Sequence, residues 1–417
     1  MAEAALLGAV RGALEACADA DGFLSSADAR AAILAADGLP NAFEGIVGEV
    51  QRNSLVNVAD FIAFLQARMG GVSEEAAMAS EGRLDPKIRE AYALARSAPD
   101  FAESLAGPEA PGGVYERTLN CASEPDGNEV KILFFKPTSP AEAVLPAIVY
   151  FHGGGMASGS AFEPQHRRWA QFLAREAQAA VFMVDFRNYV NSSRLNPQEV
   201  KAFPAGLNDC VSGLEYVHAH ASSLGIDPNR IMLAGESGGG NLAIAAALRC
   251  SRDAEQQGES EPRLEAKRLF SCWFVVSPML AGGQATPDCE SIEDFAGMPP
   301  GATRPKGGRL LGLPDEADKY AQNWRNPLAW PYAAASDDLS RLPPGTVLVN
   351  ELDPLRDEGL SFFRKALGAG VDVACSTLMG STHCANVLPG VLPRACAETA
   401  KSIRALIDRV HHQAAPA

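Results

Sequence analysis

The spacing of apolar positions changes along the chain. Over residues 1–70 they recur at helix-like intervals, as at Leu6, Val10 and Leu14 and again at Ile33, in an Ala-rich background. That period predicts an N-terminal helical segment. Residues 71–112 continue a polar helical pattern and close on Gly107-Pro108-Glu109-Ala110-Pro111-Gly112-Gly113. A Gly/Pro cluster of this kind predicts a boundary, so 71–112 is expected to be a cap or linker. The rest, 113–417, follows another rhythm. Short continuous apolar runs lie at 130–135, 147–151, 180–184, 231–234, 273–276 and 346–349. Helical patterns separate them at 166–177, 206–224, 239–250 and 355–368. Buried strands alternating with amphipathic helices predict an α/β domain with a mostly parallel central sheet flanked by helices. Residues 281–335 interrupt the rhythm with Gly, Pro and Asp and little periodicity, as expected of an insertion over the sheet.

One short stretch of this domain carries the strongest chemical signal. Gly235-Glu236-Ser237-Gly238-Gly239 fits G-x-S-x-G, follows an apolar run and opens a helical pattern at Asn241. Strand, sharp turn and helix together form the setting of a nucleophile elbow. The flanking glycines relieve the tight turn, and the helix N-terminus favours negative charge developing at the Ser. Taken alone, the motif is as often a chance Gly-rich turn. A second signal is His152-Gly153-Gly154-Gly155, directly after the run ending at Phe151. N–H groups of Gly153, Gly154 or Gly155, with that of Gly238, suit an oxyanion hole. A phosphate loop would need a Lys-Ser/Thr pair, which Met156-Ala157-Ser158 does not supply.

A serine nucleophile needs a base. Of seven histidines, His411 and His412 lie in the tail, His218 and His220 in a helical pattern, and His166 at a helix start. His152 is expected to order the glycine loop. His383 follows a strand-like run and the turn Gly380-Ser381-Thr382, at a strand end where α/β sites form. The orienting acid should also end a strand, between Ser and His in chain order. Asp353 fits, 30 residues before His383. Glu351 and Asp357 compete with it; Asp185 precedes the nucleophile and so falls in the wrong order.

Composition narrows the partners. The 417 residues carry 36 Lys and Arg against 51 Asp and Glu, a net charge of −15 with no basic cluster. Phosphate backbones need clustered cations, so no nucleic-acid partner is expected. Nine cysteines show no C-x-x-C, and several sit in or beside apolar runs, as expected of reduced thiols rather than a metal or disulfide framework. No apolar stretch is long enough to span a bilayer. The N-terminus lacks the charge pattern of a signal peptide. The expectation is a soluble cytoplasmic protein without cofactor or metal.

In order along the chain, His152-Gly153-Gly154-Gly155, Asp185-Phe186-Arg187, Phe203-Pro204-Ala205, Gly235-Glu236-Ser237-Gly238-Gly239, the run from Asp353 to Gly359 and His383 resemble the motif series of the hormone-sensitive-lipase family of α/β hydrolases. The resemblance covers roughly residues 85–410. The stretch Asn326-Pro327-Leu328-Ala329-Trp330-Pro331-Tyr332 carries a closer similarity to one lactone esterase of that family. The resemblance implies an α/β-hydrolase fold with a helical cap, formed here by parts of 1–110 and 281–335. It implies a serine carboxylesterase working through an acyl-enzyme on a small to medium ester or lactone. Ser237 would then be nucleophile, His383 base and Asp353 its orienting acid. Family analogy also allows a homodimer. Four positions depart from the common pattern: Met156 for an aromatic, Glu236 for Asp, Gly238 for Ala and Cys384 for Gly. None removes a reacting group. Two alternatives stay open: a non-catalytic small-molecule binder, and an amidase or acyltransferase with the same triad.

The N-terminal segment holds one feature outside this resemblance. Asp19-Ala20-Asp21-Gly22-Phe23-Leu24-Ser25-Ser26-Ala27-Asp28 partly matches an EF-hand loop, with Gly22 at the sixth position and Asp28 at the twelfth. A second, degenerate copy ends at Val56-Asn57-Val58-Ala59-Asp60, with Ser54 at the glycine position. Cys17 would stand first, where a hard cation wants oxygen, and Asp28 is a methylene shorter than the usual Glu. The segment is therefore read as structural. Calorimetric titration of the full chain with calcium is expected to give no stoichiometric heat at micromolar concentration; a tight one-to-one site would overturn that reading.

Overall fold

The computed structural model describes residues 112–256, 269–281 and 326–414, with short pieces at 23–25, 55–57, 85–88, 90 and 106. The chain divides into two compact units: 1–81 with 295–303, and 82–294 with 304–417. In the first unit, β1 (Phe23–Ser25) pairs antiparallel with β2 (Leu55–Asn57), and Leu24 lies opposite Val56. These two residues hold the eighth position of the two EF-hand-like loops in the sequence numbering. The would-be ligands Cys17, Asp19, Asp21 and Asp28 lie outside the described residues, as does most of 1–112 and of the expected insertion.

The second unit is built on one eight-stranded sheet. Its strands are β3 (Val114–Ser123), β4 (Asn128–Pro137), β5 (Leu145–Phe151), β6 (Ala180–Asp185), β7 (Ile226–Glu236), β8 (Cys272–Val276), β9 (Gly345–Leu352) and β10 (Val373–Thr382). The order across the sheet is β10-β9-β8-β7-β5-β6-β4-β3. All pairings from β6 to β10 are parallel; only β3 with β4 and β4 with β6 run antiparallel. This is the mostly parallel α/β sheet that the alternating pattern predicted, in the α/β-hydrolase arrangement that the resemblance implied. β3 was not foreseen, because it lies at the edge and only two of its ten residues are fully buried.

Why the central strands are continuously apolar follows from the two cores. Neighbouring side chains on a strand point to opposite faces. Ile132, Phe134, Val149 and Phe182 join one cluster; Leu133, Phe135, Ile148 and Val181 join the other. The first cluster is covered by α2 (Ala205–Ala219), α3 (Gly238–Gln256) and α4 (Arg356–Gly368). The second is covered by α1 (Pro164–Glu176) and α5 (Pro393–Ala414). Helices on both faces leave β5, β6 and β8 with no solvent side. No helix among the described residues is long and apolar enough to cross a membrane.

The core is tightest where Trp273 of β8 lies against the start of β9. Its indole is fully buried and donates to the Pro343 carbonyl at 2.9 Å. A Cβ at Gly345 would fall 2.0 Å from the ring. The ring is hemmed in and the neighbouring atom is rigid, so overpacking cannot be relieved by a rotamer change. Gly345→Ala is expected to cost about 3 kcal/mol of stability, at the upper end of overpacking effects. Urea denaturation with an unchanged m-value checks it; a loss under about 0.5 kcal/mol, the range of neutral substitutions, would contradict it.

Candidate active site

Parallel strands present their C-terminal ends along one edge of the sheet, and this edge gathers the expected residues. β5 ends at Phe151 and leads into His152; β7 ends at Glu236 and leads into Ser237; Asp353 follows β9 and His383 follows β10. Ser237 sits in the turn between β7 and α3 with φ of +54°, a left-handed conformation that is strained for a side-chain-bearing residue. The strain is imposed by crowding. A Cβ at Gly239 would lie 2.0 Å from the Phe151 carbonyl oxygen, and one at Gly238 would lie 2.7 Å from the Met156 nitrogen. Backbone of α3 and of the glycine loop approach too closely for any side chain there. The Ser237 N–H donates to Val276 and its carbonyl accepts from Met279, which pins the turn to β8.

His383 bridges Ser237 and Asp353. Its Nε2 is 3.0 Å from Ser237 Oγ, and its Nδ1 is 2.9 Å from Asp353 Oδ2. Asp353 is fully buried, and its other oxygen accepts from the Leu355 N–H at 2.8 Å. The competing acids are engaged elsewhere. Glu351 accepts from the Gly380 N–H at 2.7 Å, and Asp357 pairs with Arg356 at 2.9 Å. Asp185 accepts from the Ala161 N–H and from the Asn196 amide. Burial alone would depress the His383 imidazole, but the Asp353 carboxylate outweighs it and holds the ring well above the ordinary histidine range.

The glycine loop lies beside this chain of contacts. His152 is buried and stacks between Phe186 and His166, with centroid separations of 4.2 and 4.9 Å. Its Nδ1 donates to the Gly153 carbonyl at 2.7 Å, and burial pushes its pKa well down, so the ring is neutral. Thus His152 orders the loop, as expected. Gly154, Gly155 and Met156 follow with φ of +108°, +64° and +61°. Gly153 departs from its expected place among the oxyanion donors: its N–H donates to Glu236 Oε1 at 2.6 Å and faces a carboxylate instead.

Several neighbours escaped the sequence reading. Cys384 Sγ lies 3.4 Å from His383 Nε2, on a residue with φ of +55°. Asn241 donates to the Met279 and Ala329 carbonyls at 2.9 and 3.0 Å. Glu358 is buried and accepts from the Leu280 N–H at 2.6 Å. Burial first, and then the Asp353 charge, push its carboxyl up to about 8. Glu358 stands in the same run as Asp353, but nothing in its spacing shows that it faces β8. A cleft beside the elbow is lined by Met156, Tyr189, Phe203, Leu207, Leu242 and Leu328. No cluster of His, Cys, Asp and Glu among the described residues could hold a metal.

A family model described as an alpha/beta hydrolase fold matches residues 148–386. The chain is 29% identical over 284 residues to esterase LipI of Mycobacterium tuberculosis, covering 67% of this chain and 78% of that protein. It is 31% identical over 276 residues to carboxylesterase NlhH of the same organism, covering 64% and 75%. Among solved structures, esterase Est22 is similar with a TM-score of 0.65 and 36% identity over 79% of this chain and 98% of that one. Brefeldin A esterase, described as a bacterial homologue of human hormone sensitive lipase, gives a TM-score of 0.62 and 31% identity over 82% and 94%. This chain therefore belongs to the α/β-hydrolase fold family, among the esterases related to hormone-sensitive lipase.

Proposed function

We propose that the chain is a serine carboxylic-ester hydrolase that acts through an acyl-enzyme on small to medium esters or lactones. The unbroken contact from Ser237 Oγ through His383 to Asp353, at 3.0 and 2.9 Å, carries this reading. Ser237 Oγ attacks the ester carbonyl as its proton passes to His383 Nε2. The Asp353 carboxylate fixes the Nδ1–H tautomer and stabilises the imidazolium that forms. The N–H groups of Gly154, Gly155 and Gly238 hold the oxyanion. Collapse breaks the C–O bond, and His383 returns its proton to the leaving alkoxide. Water then attacks the acyl-enzyme, with His383 again as base, and releases the acid.

The apolar cleft at Met156, Phe203, Leu242 and Leu328 favours an acyl or alcohol group with hydrocarbon character. An intact triad weighs against the non-catalytic binder. The esterase names of the relatives favour ester over amide substrates. At the N-terminus, Leu24 opposite Val56 supports a paired EF-hand-like segment, since the same loop position meets in both copies.

Hydrolysis of p-nitrophenyl esters of rising chain length is expected for the parent. Ser237→Ala is expected to lower kcat by roughly 10⁴-fold or more. Retention of a tenth of parental kcat by the mutant would sink the assignment. The raised His383 pKa sets the sign of the pH dependence. The base must be neutral, so kcat/KM rises with pH through a limb displaced to the alkaline side of ordinary histidine. Asp353→Asn removes the charge that holds the proton, so the limb moves to lower pH while kcat falls by roughly 10⁴-fold. An unmoved limb in that variant would contradict the pairing.

A further inference from the structure

We propose that Glu236 is a positioning residue: through its hydrogen bond to the Gly153 N–H it holds the glycine loop in register with the nucleophile elbow. The inference rests on the esterase reading above and assigns the residue before the nucleophile a part in it. β5 and β7 are neighbouring parallel strands, with Phe151 opposite Gly235. Their two loops leave the sheet side by side, the glycine loop after Phe151 and the elbow after Glu236. The Glu236 side chain crosses from one to the other. Its Oε1 accepts the Gly153 N–H at 2.6 Å, in a setting only 4% exposed. A short hydrogen bond held away from water is among the stronger links a loop can have.

Three glycines in succession bring the largest conformational entropy a backbone can have, and an oxyanion hole needs its donors fixed beforehand. Gly153 is the point at which this freedom is removed. Its N–H is held by Glu236, and its carbonyl accepts from His152 Nδ1 at 2.7 Å. With both ends of that residue tied, the peptide planes of Gly154 and Gly155 start from a fixed orientation. On the far side the loop closes on itself, as Gly154 O accepts from the Ala157 and Ser158 N–H groups. Glu236 therefore links the two halves of the site: the strand that presents Ser237 and the loop that faces the oxyanion.

The surroundings of Glu236 are those of an oriented carboxyl rather than a packing residue. Tyr150 of β5 adjoins it, His166 at the start of α1 brings Nε2 to 3.6 Å of the same Oε1, and Cys384 after β10 lies close by. No Lys or Arg takes part in these contacts. The carboxyl is thus directed at a backbone N–H, with an imidazole and a phenol beside it. Glutamate also has the length this gap needs, since its Oε1 meets the Gly153 N–H at 2.6 Å.

The test compares the parent with Glu236→Ala, Glu236→Asp and Glu236→Gln on p-nitrophenyl esters, with Ser237→Ala as the reference for lost chemistry. A displacement of about 1 Å can cost 10²-fold in rate. Glu236→Ala is expected to lower kcat by ~10- to 100-fold with KM within about threefold, short of losing a whole donor. Affinity for a trifluoromethyl ketone, which mimics the tetrahedral state, should fall in parallel with kcat/KM. Glu236→Gln keeps an oxygen that accepts from Gly153 and should recover most of the loss; Glu236→Asp should not. Folded Glu236→Ala with kcat within twofold of the parent, or with its loss confined to KM, overturns the proposal. If Glu236→Ala fails to fold, the Gln and Asp variants decide, and equal kcat in both overturns it. A parent silent on these esters overturns the esterase reading and this proposal with it. An active parent beside a fully active Glu236→Ala overturns this proposal alone.

Discussion

The close approach of helix α3 to the end of β5 governs the rest of the site. With the Phe151 carbonyl oxygen 2.0 Å from where a Gly239 Cβ would stand, the helix can start only on glycine. That contact leaves the chain no room for a gradual turn after Glu236. Ser237 is forced to φ of +54°, which projects its hydroxyl beyond the strand rather than along the sheet. The same approach brings the Gly238 backbone against Gly155 and Met156. The strain at Ser237 and the approach of Gly238 to the glycine loop are therefore consequences of one packing distance. The energy for that strain comes from the helix, whose residues 242–248 are all buried against the sheet.

Buried charge is organised around this contact in two different ways. Asp353 has its partners: His383 on one oxygen and a backbone N–H on the other, so both oxygens are satisfied in an enclosed place. Glu358, close to it, accepts backbone N–H groups, yet burial and the Asp353 charge raise its carboxyl to about 8. Near neutral pH the Glu358 carboxyl is thus mostly protonated. A second full charge beside Asp353 would hold a proton on His383 more tightly and leave less of the imidazole neutral.

Much of this was legible in the sequence, for identifiable reasons. Continuous apolar runs mark strands that lose both faces to helices, so β5, β6, β7 and β8 stood out. β3 did not, because an edge strand with one wet face has no such run. Ser237, Asp353 and His383 were legible because each follows a strand and the order of the three is restrictive. What the spacing could not show is adjacency across the sheet. Residues 153 and 236 are 83 apart, and only the neighbouring places of β5 and β7 turn them into a hydrogen-bonded pair. Without that adjacency Gly153 looked like a free donor. Glu358 was missed in the same way, since its partner Leu280 belongs to another strand's exit.

The exit after β8 also bears on how specificity could vary while the chemistry stays put. Residues 277–281 leave β8, and 326–332 return. Asn241, one turn into α3, donates to Met279 on the outgoing strand end and to Ala329 on the returning one. Tyr332 N–H donates to the Leu280 carbonyl, and Glu358 accepts from the Leu280 N–H. Both roots of the segment between are therefore tied to each other, to the nucleophile helix and to α4. A long connection of this kind tolerates change well when its ends are held, because the cost of closing a loop grows slowly with length. Substitutions or insertions between the roots can then be accepted while Ser237 and Asp353 keep their separation from His383. The constraint falls on Asn241 instead, a buried amide in the first turn after the elbow, whose loss would release both roots at once.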